Sequence, residues 1–155
     1  DLGLMDIGTT ALTSLRVERG FRAWGHDISA ADTPFEAGLG HAVKLEKNAG
    51  FIGHDALARQ RDAGPARHLA FLTCTDPGAY PIGGEPIIFN GQPVGQITSA
   101  AYGHSVGAAV CMGYVEHPPA KINEMAAAGG FAIDIACDLA PATFSFDPPY
   151  PGRAT

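Results

Sequence analysis

The dipeptide Asn90-Gly91 constrains the fold of this chain most strongly, because it separates two β-rich runs, residues 85–89 and 93–98. Asn-Gly between such runs is the strongest short-range signal for a hairpin, since both central residues of a type I′ turn need positive φ. Turn residues separate four further apolar runs: 67–75, 108–116, 130–136 and 142–146. The only helical interval among these runs is 121–128. Short strands with so little helix between them predict a small antiparallel barrel or sandwich.

The part of the chain before Gly64-Pro65 has a different pattern. Apolar residues at helical spacing predict a helix over 8–18, with Asp6 as its N-cap and Gly20 as its C-terminal glycine. A second helix is predicted over 53–62, and alternation of apolar and charged residues predicts a half-buried strand over 42–47. The predicted apolar side of the first helix consists of Ile7, Ala11, Leu12 and Leu15.

We therefore divide the chain at the Gly64-Pro65 breaker pair. Residues 1–63 contain two helices and one strand, which is too little to form a separate core, and residues 64–155 contain the strands. The predicted fold class is α+β, with a small antiparallel β-barrel-like domain in the second part.

Composition excludes several classes of function. The 155 residues carry a formal net charge of −6, which argues against a nucleic-acid partner because that affinity is mostly cationic. No apolar run approaches the roughly 20 residues of a membrane-spanning helix, so no membrane association is expected. Three widely separated cysteines in apolar contexts are interpreted as buried free thiols, which together with the lack of a visible export signal favours a cytoplasmic location.

Motifs for metal binding or catalysis do not occur in the sequence. The six histidines form no pair at a spacing of three or four, and there is no Cys-x-x-Cys, so no metal site is predicted. No nucleophile elbow, phosphate-binding loop or dinucleotide fingerprint is present. No catalytic residue is therefore assigned within the chain.

The stretch 15–28 is unusually dense in functional groups, with three arginines and the single tryptophan of the chain. In one interpretation Glu18 pairs with Arg19 or Arg22 at the helix end while Phe21 and Trp24 are buried. In a second, Arg16 binds a ligand carboxylate near Trp24, since a guanidinium suits such an anion. In a third, the stretch is a contact between modules.

A second unusual stretch, residues 98–107, ends a predicted strand in small hydroxyl residues followed by Tyr102 and His104. Both rings can form hydrogen bonds while presenting flat apolar faces. The stretch suits either the rim of a wet cavity or a satisfied corner of a barrel.

Together these residues resemble the aminomethyltransferase (glycine-cleavage T-protein) family. The similarity includes Leu15 to Ile28 and Asp32-Thr33-Pro34-Phe35-Glu36-Ala37-Gly38-Leu39, and it continues in order through 51–57, 83–87, 94–107 and 112–115. Within this motif the residues Phe21-Arg22-Ala23-Trp24-Gly25 resemble dimethylglycine dehydrogenase and sarcosine dehydrogenase more than T-protein itself.

The resemblance implies a tetrahydrofolate-binding module that receives a one-carbon unit released by N-demethylation. Residues 1–63 would be the last segment of the folate-binding α+β domain and residues 64–155 the C-terminal β-barrel domain. The family's catalytic aspartate and the FAD-binding domain of the dehydrogenases would lie upstream, so the expected partner is the remainder of the same polypeptide or another subunit. The expected folate-binding residues are Arg16, with Glu18 as its orienter or structural partner, and Trp24 and Tyr102 in the cavity wall.

An alternative remains open at this point. The segment would then be a non-catalytic barrel or interaction module, either of a multi-subunit sarcosine oxidase or of a T-protein-like aminomethyltransferase. Either way, the chain is expected to be part of an enzyme that does not complete the chemistry alone.

Overall fold

A computed structural model describes residues 2–47, 49–117 and 121–150. The helices of this part of the chain are α1 (Thr9–Glu18), a 3₁₀ helix (Gly40–Ala42), α2 (His54–Ala63) and α3 (Ile122–Ala128). The strands are β1 (Arg67–Cys74), β2 (Pro86–Phe89), β3 (Gln92–Gly103), β4 (Ala108–Glu116), β5 (Phe131–Ile135) and β6 (Asp138–Ser145). The strands predicted after Gly64 and the two helices predicted before it are present, with shifted ends.

The six strands form a closed antiparallel barrel in the order β1-β4-β3-β2-β5-β6, with β6 paired to β1. The barrel confirms the predicted fold class and decides between barrel and sandwich. The predicted hairpin joins β2 to β3: Asn90 and Gly91 have φ of 49° and 78°, and Phe89 pairs with Gln92. Positive φ at both positions is the geometry that a type I′ turn requires.

Strands β1 and β4 are buried on both faces. Inward side chains such as Leu72, Cys111 and Val115 fill the barrel, together with Ile122 from α3. Outward side chains, including Leu69, Phe71, Val110, Met112 and Tyr114, pack with Val17 of α1. Burial on two faces removes the polar positions of an alternating strand, and this explains the continuous apolar runs in the sequence.

Helix α1 packs against β3 and β4, but with an unexpected face. Its buried residues are Ser14, Val17 and Glu18, whereas the side chains of Leu12 and Leu15 are each 53% exposed. The prediction that Ile7, Ala11, Leu12 and Leu15 form the buried side was wrong. The helix begins after Gly8, without a side-chain cap, so the predicted Asp6 cap was also wrong.

The strand predicted over residues 42–47 is not formed. A 3₁₀ turn at Gly40–Ala42 precedes it, and the segment then continues as irregular backbone and turn. Val43 and Leu45 are half-buried between the exposed Lys44 and Glu46, so the alternation in the sequence reflects one-sided burial. None of the described strands pairs with these residues, and a strand needs such a ladder of hydrogen bonds.

The cysteines differ in environment. Cys74 and Cys111 are buried free thiols as predicted, but Cys137 is exposed in a turn, so the prediction was wrong for that residue. Among the described residues, no helix combines the length and apolar character required to cross a bilayer.

Candidate functional site

The end of α1 directs its last polar side chains toward the barrel. Gly20 adopts φ of 69°, its N–H donates to the carbonyl of Val17, and Phe21 N–H donates to the carbonyl of Arg16. These two bonds are those of a Schellman C-cap, which fixes the direction of the chain after the helix. A Cβ at Gly20 would collide with the ring of Phe71, so the turn and the packing both require glycine.

Arg16 extends from this last turn toward Asp27, in the turn after the helix, and toward Ser99 on β3. Its Nη1 donates to Asp27 Oδ2 at 2.7 Å and more weakly to the carbonyl of Phe21 at 3.4 Å, and its Nη2 donates to Ser99 Oγ at 2.8 Å. The side chain is only 18% exposed. Of the five guanidinium N–H donors, Nε–H and one on Nη2 meet no acceptor among the described residues. The group is therefore held in place, and two of its donors are not used within the described part of the chain.

Asp27 is the centre of this arrangement, and sequence reasoning did not single it out. Its carboxylate is fully buried and accepts from Arg16, from the backbone N–H of Ala23 at 2.8 Å and from Thr98 Oγ1 at 2.6 Å. The only local signal for Asp27 was that it is an acidic residue close to a glycine in a turn. Many exposed surface turns have the same composition, so this signal does not predict a buried carboxylate. Only the fold shows that this turn faces the hydroxyl-rich stretch of β3.

Glu18 is buried but does not reach Arg16. The residue is 1% exposed, and its carboxylate accepts from Ser105 N at 2.6 Å, Ser105 Oγ at 3.1 Å and Val106 N at 3.2 Å. These bonds hold the connection between β3 and β4. The interpretation in which Glu18 pairs with Arg19 or Arg22 was wrong, because the carboxylate binds the loop and forms an ion pair with neither arginine among the described residues.

Arg22 instead closes the turn after α1. Its Nη1 donates to the carbonyl of Gly20 at 2.7 Å, its Nε donates to the carbonyl of Ala37 at 3.1 Å, and the guanidinium lies over the ring of Phe71. Burial lowers the pKa of Arg22 from its ordinary value, partly offset by the charges near it. The residue links the α1 turn to the segment around Gly38.

The aromatic residues proposed for the cavity wall lie apart from Arg16. Trp24 is 71% exposed and Phe21 is also exposed, so the predicted burial of both rings was wrong. Tyr102 is partly exposed, packs edge-on against His104 at 5.2 Å between ring centroids, and lines a groove of about 400 Å³ beside α1. The lining of that groove includes neither Arg16 nor Trp24. The four candidate residues therefore do not converge on one enclosed pocket within the described chain.

Besides the groove that Tyr102 lines, a polar cavity of about 480 Å³ lies next to the Arg16–Asp27 pair. Asp27 and Thr98 line it together with Tyr114, Arg67 and Asp32. Arg67 donates to Asp32 at 2.8 Å and lies 4.7 Å from the ring centroid of Tyr114. Burial is the main cause that raises the pKa of Tyr114 to about 12, and the negative charge of Asp32 is the second. The neutral phenol is buried without a hydrogen-bond partner among the described residues, so the cavity retains an unused polar group.

A histidine pair lies where β1 begins and just after β4 ends, and neither histidine lines the two cavities described above. His68 Nδ1 and His117 Nε2 are 2.8 Å apart, and burial together with the charge of His117 lowers the pKa of His68. Among the described residues, no group of three or more His, Cys, Asp and Glu side chains is placed to hold a metal ion.

Comparisons with known proteins agree with this architecture. Residues 67–151 match the profile of the glycine cleavage T-protein C-terminal barrel domain, and residues 1–47 match the GCVT N-terminal domain. A solved structure of glycine cleavage system aminomethyltransferase T from Bartonella henselae superposes with a TM-score of 0.78 at 27% identity, covering 95% of this chain and 40% of that one.

Curated relatives are much longer than this chain. It is 39% identical over 150 residues to 4-methylaminobutanoate oxidase (formaldehyde-forming) of Paenarthrobacter nicotinovorans, covering 97% of this chain and 18% of that protein. It is 40% identical over 123 residues to mitochondrial dimethylglycine dehydrogenase of Mus musculus, covering 79% and 14%. The resemblance seen in the sequence is thereby confirmed. Since the barrel profile alone spans more than half of the chain and the strands close into that barrel, the chain belongs to the glycine cleavage T-protein (aminomethyltransferase) family.

Proposed function

We propose that this chain is the C-terminal part of a tetrahydrofolate-dependent demethylating enzyme of the dimethylglycine/sarcosine dehydrogenase type. In this proposal residues 1–63 end the folate-binding domain and residues 64–155 form its barrel domain. The one-carbon unit released by N-demethylation is passed to tetrahydrofolate. FAD and the catalytic aspartate belong to parts of the enzyme outside this chain.

The single observation that supports this proposal best is the state of Arg16. The guanidinium is fixed by Asp27 and Ser99, yet it keeps two N–H donors that meet no described acceptor. The glutamyl tail of a folate carries carboxylates, and a fixed guanidinium binds a carboxylate at a low cost in conformational entropy. In this proposal Arg16 binds folate and Glu18 keeps the connection between β3 and β4 in place. Trp24 and Tyr102 contribute to the wall of the folate cavity.

Binding of tetrahydrofolate to the full-length protein tests the role of Arg16. We expect Arg16→Ala to weaken affinity at least about tenfold, as loss of a charged hydrogen bond worth about 1.5–3 kcal/mol predicts. Arg16→Lys keeps the charge but not the fixed planar donors, and it should recover only part of the loss. Arg61→Ala is a matched control, because Arg61 is half-exposed and pairs only with exposed carboxylates. Unchanged affinity in Arg16→Ala would remove this residue from the site.

A non-catalytic module remains the second candidate. The solved structural relative is named an aminomethyltransferase and not a dehydrogenase or an oxidase, which favours the T-protein-like form of this candidate. In that case the chain belongs to a multi-subunit sarcosine oxidase or to a T-protein-like enzyme. The intact mass of the source protein and its flavin absorbance distinguish the two. A source protein without flavin would contradict the dehydrogenase proposal. The cytoplasmic location stays a prediction, since the relatives include mitochondrial proteins.

A further inference from the structure

Arg67, the first residue of β1, lies where two cavities on the outer surface of the barrel meet. One is the polar cavity of about 480 Å³ described above, and the other measures about 560 Å³. The two linings have four residues in common: Arg67, Glu116, Pro93 and Val94. Cavities of this size hold small organic molecules, so the junction is large enough for a ligand.

The guanidinium of Arg67 is fixed, but not all of its donors are used. Nη2 donates to Asp32 Oδ1 at 2.8 Å, Nε donates to Glu36 Oε1 at 3.4 Å, and the group lies 4.7 Å from the ring centroid of Tyr114. The Nη1 amino group meets no acceptor in the described part of the chain. The Tyr114 hydroxyl, which also has no partner there, is a buried polar group of the kind that an ordered water or a ligand normally completes.

The two carboxylates that hold Arg67 are themselves held by the loop before the barrel. Asp32 Oδ2 accepts from the backbone N–H and the hydroxyl of Ser29. Glu36 Oε2 accepts from the same two groups of Thr33. Because its anchors are fixed, the Arg67 guanidinium can bind a ligand at a low cost in conformational entropy.

Glu116 is the cross-strand neighbour of Arg67, yet the two side chains do not form an ion pair. The register of β1 and β4 places the two residues opposite each other, where side chains begin about 5 Å apart. Arg67 is turned to Asp32 and Glu36 instead, so the Glu116 carboxylate forms no hydrogen bond or ion pair within the described ranges. A cation and an anion thus lie side by side, and each keeps unused bonding capacity.

The charges around the two cavities favour a ligand that carries a positive group. Among the described residues, four carboxylates face two guanidinium groups, those of Arg16 and Arg67. The carboxylates are Asp27, Asp32, Glu36 and Glu116. A ligand with a carboxylate alone would meet an excess of negative charge, and an amine alone would leave the Arg67 donors unused.

We propose that Arg67 and Glu116 bind the head group of a free α-amino acid, with its carboxylate on the Arg67 Nη1 amino group and its ammonium group on the Glu116 carboxylate. The zwitterion supplies the acceptor that Arg67 lacks and the cation that Glu116 lacks. Its side chain lies along Pro93 and Val94. The site uses neither Arg16 nor the groove beside α1, so it does not depend on the proposed folate role.

Saturation-transfer NMR of the full-length protein, titrated with L-alanine, tests this site. We expect L-alanine to bind with a Kd below about 1 mM. Acetate and methylammonium each carry only one of the two charges, so both should bind at least about tenfold more weakly. Methylammonium binding as tight as that of L-alanine would reduce the site to a simple cation site and overturn the proposal, as would the absence of L-alanine binding.

Glu116→Gln locates the binding of L-alanine. The substitution disturbs no described side-chain contact, so the variant should fold with an unchanged melting temperature while its affinity for L-alanine falls at least about tenfold. Glu124→Gln is the matched control, because Glu124 is exposed on α3 and lines neither cavity. Unchanged affinity in Glu116→Gln would place the bound L-alanine elsewhere in the enzyme and overturn the proposal.

Arg67→Lys tests the carboxylate end of the site. Lysine keeps the positive charge but loses the planar fork, so it cannot hold Asp32, Glu36 and a ligand carboxylate together. The preference for L-alanine over methylammonium should therefore fall severalfold, an effect that a loss of stability alone does not produce. A preserved preference in a folded Arg67→Lys variant would show that Arg67 does not bind the ligand.

Discussion

The Asp27 carboxylate fixes the Arg16 guanidinium through an ion pair of 2.7 Å, and the two residues differ sharply in their access to solvent. Asp27 is fully buried, while Arg16 keeps some exposure. The carboxylate also accepts from Thr98 on β3 and from the backbone of Ala23. One acidic side chain thus joins α1, the turn after it and the barrel.

Substitution of Asp27 by alanine should destabilise the protein substantially. Removal of one partner from a buried pair leaves the other charge and its donors uncompensated, at a cost of about 3–5 kcal/mol, and the partial exposure of Arg16 places the expected loss near the lower limit. Urea denaturation measures the change in the free energy of unfolding. Asp62→Ala is the control, since Asp62 pairs with Arg61 at the surface and should change stability by less than about 1 kcal/mol. Equal losses in the two variants would contradict the central role of Asp27.

The buried Glu18 should be sensitive even to an isosteric change. Glu18→Gln replaces one carboxylate oxygen by an NH₂ group, so either the N–H groups of Ser105 and Val106 or the Ser105 hydroxyl lose their acceptor, and the charge that strengthens all three bonds is removed. The expected loss is about 1–3 kcal/mol of unfolding free energy. Hydrogen exchange at residues 104–107 should become faster in the same variant. Glu46→Gln, at an exposed site, should change neither quantity, and a similar response from both variants would argue against the loop-holding role.

Stability should depend on pH through His68. Burial and the charge of His117 lower the pKa of His68 in the folded state, whereas the unfolded imidazole titrates near 6.5. The unfolded chain therefore binds the proton more readily, so this contribution is fully present above about pH 6.5 and is lost as the pH falls toward the folded pKa. Denaturation curves between about pH 5 and 8 measure the slope.

His68→Gln supplies the control for this slope. The variant lacks the titrating group, so its stability should vary less over the same pH range. A slope of unchanged size in His68→Gln would show that other groups cause the dependence.

Glycine at position 95 should be indispensable to the barrel. A Cβ there would overlap the carbonyl oxygen of Tyr114 on the adjacent strand, and neither backbone can move without opening the ladder between β3 and β4. Gly95→Ala should therefore prevent formation of a stable barrel, seen as loss of the cooperative thermal transition. Gly8→Ala is the control, because its Cβ meets no atom within 4 Å and its φ of −79° suits any residue. A folded Gly95→Ala variant would contradict the close approach of the strands.

The local pattern of the sequence predicted most secondary structure. The Asn90-Gly91 turn and the runs that became β1 and β4 follow from local rules, namely the φ requirement of a type I′ turn and the apolar content of strands buried on two faces. The prediction of a strand over residues 42–47 was wrong, because alternation of apolar and charged residues reports burial alone. A strand also needs a neighbouring strand for its hydrogen bonds.

The candidate site was predicted only in part. Arg16 was identified from its residue type and its setting, because a guanidinium near an aromatic cluster suits a ligand carboxylate. Asp27, Ser99 and Thr98 were not singled out, since their importance comes from contacts across 71 to 83 positions of the sequence. Glu18 was identified, but its partners are two backbone N–H groups and one hydroxyl of a loop 87 to 88 positions away, which no local pattern reveals.

By itself, the sequence determined the family and the strands of the barrel, and it predicted candidate residues for a folate site. Only the tertiary structure decided how those residues are used: Arg16 joins Asp27, Glu18 holds a loop, and the apolar side of α1 faces away from the barrel. The physical reason is that periodicity shows which residues share one side of a helix, but not which side finds a partner. In α1 the three hydrogen bonds of Glu18, the ion pair of Arg16 and the packing of Val17 fix one side against the barrel, and the side with Leu12 and Leu15 is left facing outward.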